Sequence, residues 1–208
     1  MRNTQNSISM MQTAEGALDE ATNILVRMKD LATQSADGSS TGADRTAMQA
    51  EYTSLTSELS NIIKNTSFGG TTLLNNTAAA LGKFAASVDF QIGASSAEKM
   101  TVDVSTDITT MHTDIAAAAG AFNGGTAIAG ATAGAEISDG AVPGAGAANA
   151  NATIDLLKTA IDSVSSVRSS LGASANRLDH VYNNLSNISN NTKAATGRIM
   201  DVDFATES

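Results

Sequence analysis

Apolar residues recur in alternating steps of three and four at both ends of this chain, and that period limits the fold more than any other feature. Near the N-terminus Met11, Ala14, Leu18, Ala21, Leu25, Met28 and Ala32 form a heptad seam. Beside it Met10, Ala17, Ile24 and Leu31 repeat every seven residues, a stripe wide enough for a multi-helix bundle. The spacing predicts a helix over residues 4–35, about 48 Å long at 1.5 Å per residue, stopped by Asp37-Gly38. Met48, Tyr52, Leu55, Leu59 and Ile62 predict a second helix ending near Asn65, with Asp44 as N-cap. The short loop between the two makes them antiparallel neighbours.

The period returns at the other end. Ile154, Leu157, Ile161, Val164, Leu171, Ala175, Leu178, Tyr182 and Leu185 form a seam flanked by Ala160, Val167, Val181, Ile188 and Ala195. A helix from Thr153 to near Ala195 is roughly 64 Å long and matches the first helix with an overhang, so the two ends of the chain are expected to pair. Arg168 occupies a seam position, where a guanidinium must either snorkel to water or pair with an acid such as Glu51 or Glu58. The expected fold is mainly α: a long antiparallel bundle of three principal helices with a small insert containing a β-hairpin. Residues 1–66 and 151–208 form the helical rod.

Between them the period changes. In residues 67–110, the connector and hairpin region, Val88, Phe90 and Ile92 alternate with polar residues, as do Met100, Val102 and Val104. Period-two patterns on both sides of GASSAEK read as a β-hairpin. Residues 111–150 form an Ala/Gly-rich segment holding the single Pro, Pro143, which reads as a variable surface excursion. On that reading, deleting residues 116–148 leaves the thermal transition nearly intact.

Composition removes whole classes of chemistry. With no Cys among 208 residues, disulfides, Cys-ligated zinc, iron–sulfur clusters and thiol nucleophiles are excluded. A net charge of -9 with 12 Lys+Arg argues against a nucleic-acid partner, which needs a basic stripe to neutralise phosphates. No run of 18 apolar residues suggests a membrane span, and the N-terminus lacks the order of a signal peptide. Export, if it occurs, needs another route than general secretion. The chain contains no HExxH, P-loop or GxGxxG motif, and its Ser residues have no recognisable base partner, so no enzyme activity, metal or cofactor is expected. His112 and His180 are isolated and read as structural or exposed. Asp201, Asp203 and Glu207 have no nearby His or apolar pocket and read as solvated or helix-capping.

Several stretches resemble one family. QTAEGALDEATNILVRMKDLATQSADG (12–38) is similar to the N-terminal core helix of bacterial flagellin, and MQAEYTSLTSELSNIIKNTSFGGTTLL to its second helix and connector. VDFQIGASS looks like the family's strand motif, and LGASANRLDHVYNNLSNISNNTKAATGRIMDVDFATE like its C-terminal core. The resemblance covers residues 2–105 and 153–208 and implies a structural filament subunit, exported by the flagellar apparatus to the outside of the cell. Its implied partners are other flagellin subunits, a flagellar export chaperone and the Toll-like receptor that senses flagellin. Flagellins carry further terminal segments that line the filament core and hold the export signal, so the chain is expected to be a fragment trimmed to the rod, with Met1 an expression start.

The resemblance also implies a site. Arg27, Leu31 and Gln34 lie at i, i+4 and i+7 on one helix, and with Glu51 on the next they match the positions where the receptor docks and neighbouring subunits touch. Val26 stands where receptor-stimulating members commonly carry a polar residue. A hook–filament junction protein shares the terminal pattern but would have a less tidy SFGG and FQIG region. A signalling coiled coil, such as a chemoreceptor cytoplasmic hairpin, would explain the heptads and leave the strands unexplained.

Overall fold

The computed structural model describes residues 2–77, 80–93, 95–122 and 134–207, the last seven by backbone alone. Helix α1 spans Arg2–Ala36 and α2 spans Gly42–Asn65. Three antiparallel strand pairs follow: β1 (Ser67–Phe68) with β2 (Thr71–Thr72), β3 (Asn76–Thr77) with β4 (Ala80–Leu81), and β5 (Val88–Gln91) with β6 (Lys99–Val102). A 3-10 turn at Lys83–Ala85 lies between β4 and β5, α3 spans Ser105–Ala118, and α4 runs from Gly146 to Glu207.

The core is a seam between α1 and α4. Met11, Ala14, Leu18, Ala21, Leu25, Met28 and Ala32 are each at most 1% exposed, so the heptad read from the sequence is the buried face of α1. The three alanines in this row let two long helices approach closely, and the Leu and Met side chains fill the seam between them. Asp19 meets Arg168, and Gln5 meets Tyr182, so the pairing runs in opposite directions along the two helices. The expected α1–α4 pairing and antiparallel bundle are present, with the hairpin as an insert.

Four local expectations are corrected. First, Thr41, not Asp44, caps α2. Thr41 Oγ1 accepts from Asp44 N at 3.3 Å while Asp44 Oδ2 accepts from Thr41 N at 3.0 Å, a reciprocal capping box in which Asp44 is the third helical residue. These bonds from Thr41 hold the Asp44 carboxyl below its ordinary pKa. Second, α4 begins at Gly146, ahead of the expected Thr153. Asp139 Oδ1 accepts Gly146 N at 2.7 Å, and a Cβ at Gly146 would lie 2.6 Å from Arg45 Cδ, so any larger residue there would have to displace the Arg45 and Asp139 side chains.

Third, Arg168 is not on the inner seam and meets neither Glu51 nor Glu58. The inner row of α4 is Ala150, Thr153, Leu157, Ala160, Val164, Val167 and Leu171, all buried. Val167 takes the seam level assigned to Arg168, whose Nη2 reaches Asp19 Oδ1 at 2.9 Å on the edge of α1. Helix α4 lies along α1, which places position 168 beside an α1 acid. Fourth, α2 turns a different face inward. Arg45, Gln49, Tyr52, Thr56, Leu59, Ser60 and Ile63 are buried, while Met48, Leu55 and Ile62 are only half-buried.

The strands follow their sequence pattern. In β5–β6 the register pairs Val88 with Val102 and Phe90 with Met100, and these four side chains are buried. Asp89 and Lys99 on the outer face form an ion pair at 2.6 Å. The β1–β2 turn is Gly69-Gly70 with φ of 58° and 82°, the double left-handed conformation of a tight hairpin turn.

Helix α3 is absent from the sequence reading, although Ile108, Met111, His112 and Ile115 carry the i, i+3, i+4, i+7 spacing of a buried face. It packs on α4 and on the 3-10 turn. The Ala/Gly segment is correspondingly less superficial than expected. Ala116, Ala118, Ala119, Phe122 and Ile137 are buried in the core; residues 123–133 lie outside the description.

Candidate functional site

The paired face of α1 and α2 carries the residues singled out in the sequence. Arg27 Nε and Nη2 both donate to Glu51 Oε1, at 2.9 and 2.5 Å. The antiparallel α1–α2 hairpin brings these positions together from 24 residues apart. Their side chains are 55% and 45% exposed, so the pair is a solvated link between helices and contributes at most about 1 kcal/mol to stability. Gln34 is exposed two helical turns further along, and Val26, 45% exposed, adds an apolar spot beside Arg27.

Leu31 does not join this surface. It is 3% exposed and belongs to the core cluster, because the flanking heptad row rotates inward beneath the ion pair. The face therefore presents Arg27, Gln34 and Glu51 to a partner, with Leu31 supporting the α1 backbone from below.

At the turn between α1 and α2 lies a polar network that residue spacing did not reveal. Arg45 is buried, and its Nε and Nη2 donate to Ser35 O and Asp37 O at 2.9 and 3.1 Å. Ser35 Oγ donates to Ile137 O. Gln49 donates through Nε2 to Glu136 Oε2 at 2.6 Å and accepts Ile137 N at 2.8 Å. Tyr52 OH donates to Ala118 O at 2.7 Å. Burial, reinforced by the charge of Glu136, pushes the Tyr52 phenol far above its ordinary range. These partners lie 66 to 102 residues away for Tyr52, Gln49 and Ser35, which is why local pattern missed them. The one available signal was the presence of Arg45, Gln49 and Tyr52 at helical spacing beside an apolar row.

Other candidate groups stay apart. His112 is buried on the inner face of α3, His180 is exposed on α4, and the side chains of Asp201, Asp203 and Glu207 lie outside the description. Among the described residues no group of three or more acids or histidines could hold a metal, and no helix is long and apolar enough to cross a membrane.

Residues 1–79 match the family model of the bacterial flagellin N-terminal helical region, and residues 154–208 that of the C-terminal helical region. The chain belongs to the bacterial flagellin family. Among flagellins, one from Halalkalibacterium halodurans is 37% identical over 207 residues, covering 99% of this chain. This chain spans 65% of that relative's length. Flagellin C of Vibrio cholerae is 33% identical over 287 residues, covering all of this chain and 74% of the relative.

The crystal structure of Bacillus cereus flagellin superposes with a TM-score of 0.62 at 30% identity, covering 88% of each chain. A Vibrio parahaemolyticus protein assigned to the flagellar hook-associated class has a TM-score of 0.63 at 16% identity, covering 94% of this chain and 88% of its own. That second likeness concerns the fold alone. The flagellin family is structural, and its two helical regions correspond here to α1–α2 and α4.

Proposed function

We propose that this chain is the rod portion of a flagellar filament subunit. Many copies stack side by side into a stiff tube, and the tube converts motor torque into thrust. The observation that carries this reading is the closely packed antiparallel α1–α4 pair, built from interleaved Ala, Leu, Met and Val seam residues and matching the two flagellin helical regions. Long helices in such contact resist bending, while sliding between neighbouring subunits permits alternative filament shapes. Residues 1–66 and 151–208 serve as the rod and residues 67–110 as connector. The subunit leaves the cell through the flagellar export apparatus with an export chaperone and acts outside it.

Filaments sheared from the source bacterium and digested with trypsin are expected to yield peptide 30–45 of this chain as a main component. Filaments that lack it would show that the chain builds something else.

On this reading the face formed by Arg27, Gln34 and Glu51 contacts neighbouring subunits and is also the docking surface for the Toll-like receptor that senses flagellin. An exposed Arg held rigid by a carboxylate has the chemistry of an interface hot spot. Arg27→Ala is expected to reduce receptor signalling at least about tenfold, the size of an ordinary hot-spot loss. Its thermal midpoint should move by no more than about 4 °C, since an exposed pair is weak. Equal responses from the two proteins in reporter cells would remove this face from the receptor site.

A further inference from the structure

In a tube of identical copies, neighbours related by a rotation and a rise meet heterologously, one face of a copy against a different face of the next. The face of Arg27, Gln34 and Glu51 therefore requires a counter-surface elsewhere on the rod. That surface has to offer an acid to Arg27 and a cation to Glu51, and it has to look in another direction.

A groove between α1 and α4 meets these terms. It encloses about 490 Å³ and is lined by Glu15 of α1 and by Ser165, Arg168, Ser169, Gly172 and Ala173 of α4. Glu15 is half-buried and has no ion-pair partner among the described residues. Arg168 Nη2 reaches Asp19 Oδ1 at 2.9 Å, while its buried Nε has no partner. Asp19 thus engages a single donor, and the guanidinium fork has others for a second carboxylate. The α4 wall is made of small side chains, and a Cβ on Gly172 would meet nothing within 4 Å, so a long side chain can enter.

The two surfaces point apart. At about 3.6 residues per turn, Glu15 and Asp19 lie roughly 100° around α1 from Arg27 and about 12–18 Å along it. Arg27 faces the α2 side, where it meets Glu51, and Glu15 faces the α4 side. Separate flanks at staggered levels are what an array that both turns and climbs requires.

We infer that the groove at Glu15 and Arg168 receives the Arg27–Glu51 face of a second copy of this chain. Arg27 of one copy meets Glu15 and Asp19 of the next, and Glu51 meets Arg168. The inference rests on the reading of the Arg27 face as a subunit contact and names the surface that contact uses.

The chain has no Cys, so introduced disulfides report contacts between copies without background. Asn23 is exposed one turn from Arg27 on the same side of α1, and Ala173 is exposed in the groove. Because Asp19 faces Arg168, position 23 lies level with about position 164 of α4, roughly 13 Å along the helix from Ala173. That is too far for a bridge within one chain.

Filaments from cells whose only flagellin carries both Asn23→Cys and Ala173→Cys should, once oxidised, run as a ladder of dimers, trimers and longer oligomers. Each single variant should run as monomer. Ser54→Cys with Ser169→Cys, beside Glu51 and Arg168, replaces this pair if it does not assemble. A thiol reagent tests the contact itself: Asn23→Cys should label slowly in intact filaments and fast in dissociated subunits. Slow labelling with no ladder from either pair keeps the Arg27 face in a contact and overturns the groove as its partner. Dimers from Asn23→Cys alone would show that face meeting itself and also overturn the groove. Equally fast labelling in both forms would free the face and overturn the subunit-contact reading together with the groove.

Discussion

His112 shows how much a single residue depends on its surroundings. It is 2% exposed, its Nε2 donates to Leu74 O at 2.8 Å, and its ring lies 5.6 Å from that of Phe122. A carbonyl can only accept, so the ring proton sits on Nε2, and the buried Nδ1 has no hydrogen-bond partner. Burial pushes the imidazole pKa below its ordinary 6.5, and the bond to Leu74 only partly offsets this. The unfolded chain takes up a proton below about pH 6.5 while the folded chain does not, so the unfolded state binds more protons there. Stability is therefore complete above that pH and declines as pH falls towards the depressed folded value.

Asp37, Asp44, Asp89 and Asp103, each held below 3.8 by hydrogen bonds from neighbouring side chains, titrate lower still and leave this window clear. The thermal midpoint should drop between pH 7 and pH 5, and His112→Gln should remove most of that slope. A parent midpoint that is flat across the window would mean that the buried ring is freely protonated. A lone His next to an Ala run carried no sign of this in the sequence, because its environment comes from Leu74 and Phe122 rather than from its own turn of helix.

Among the elements, α1 was legible residue by residue and α2 was not. Every seam position read on α1 is buried because that helix packs chiefly along one long partner, α4, so a single apolar stripe describes it. Helix α2 meets α1 on one side and the strap from residues 134 to 146 on another. Its inner row is accordingly mixed, with Arg45, Gln49 and Thr56 buried because each finds hydrogen-bond partners. Tyr52 links this row to α3, and Tyr52→Phe keeps the ring while orphaning the carbonyl of Ala118 at a helix end. The substitution should cost about 1–3 kcal/mol in urea unfolding. A change below about 0.5 kcal/mol, within ordinary surface scatter, would show that water readily replaces the phenol. For the candidate site, the resemblance placed Arg27, Leu31, Gln34 and Glu51 on neighbouring helices, and Leu31, already a member of the apolar row beside the heptad seam, is the one that turns inward.

At the scale of the whole molecule, the described residues of the Ala/Gly stretch are a structural part of the rod. Phe122 and Ile137 each bury a large side chain, and Ala116, Ala118 and Ala119 fill the space around them. Deleting residues 116–148 also removes the partners of Ser35, Gln49 and Tyr52. Contrary to the reading from composition, the deletion should cost more than about 5 kcal/mol from lost apolar burial and orphaned polar groups, with loss of a sharp thermal transition. A cooperative transition within a few degrees of the parent would restore the view of this stretch as mere decoration.

The sequence by itself determined the long helices, their antiparallel pairing end to end, the β5–β6 hairpin and the family, since all of these rest on local periodicity and ordered motifs. Tertiary structure alone decided that Val167 and not Arg168 enters the seam, that α2 buries a polar row, and that Glu136 and Ile137 staple the Ala/Gly stretch to the rod. The physical reason is the same in each case. A repeat of three and four states that a helix has an inner face but leaves its rotation to the partner that packs on it. A run of Ala and Gly has no period at all, so its place is set by hydrogen bonds to residues far away in the chain.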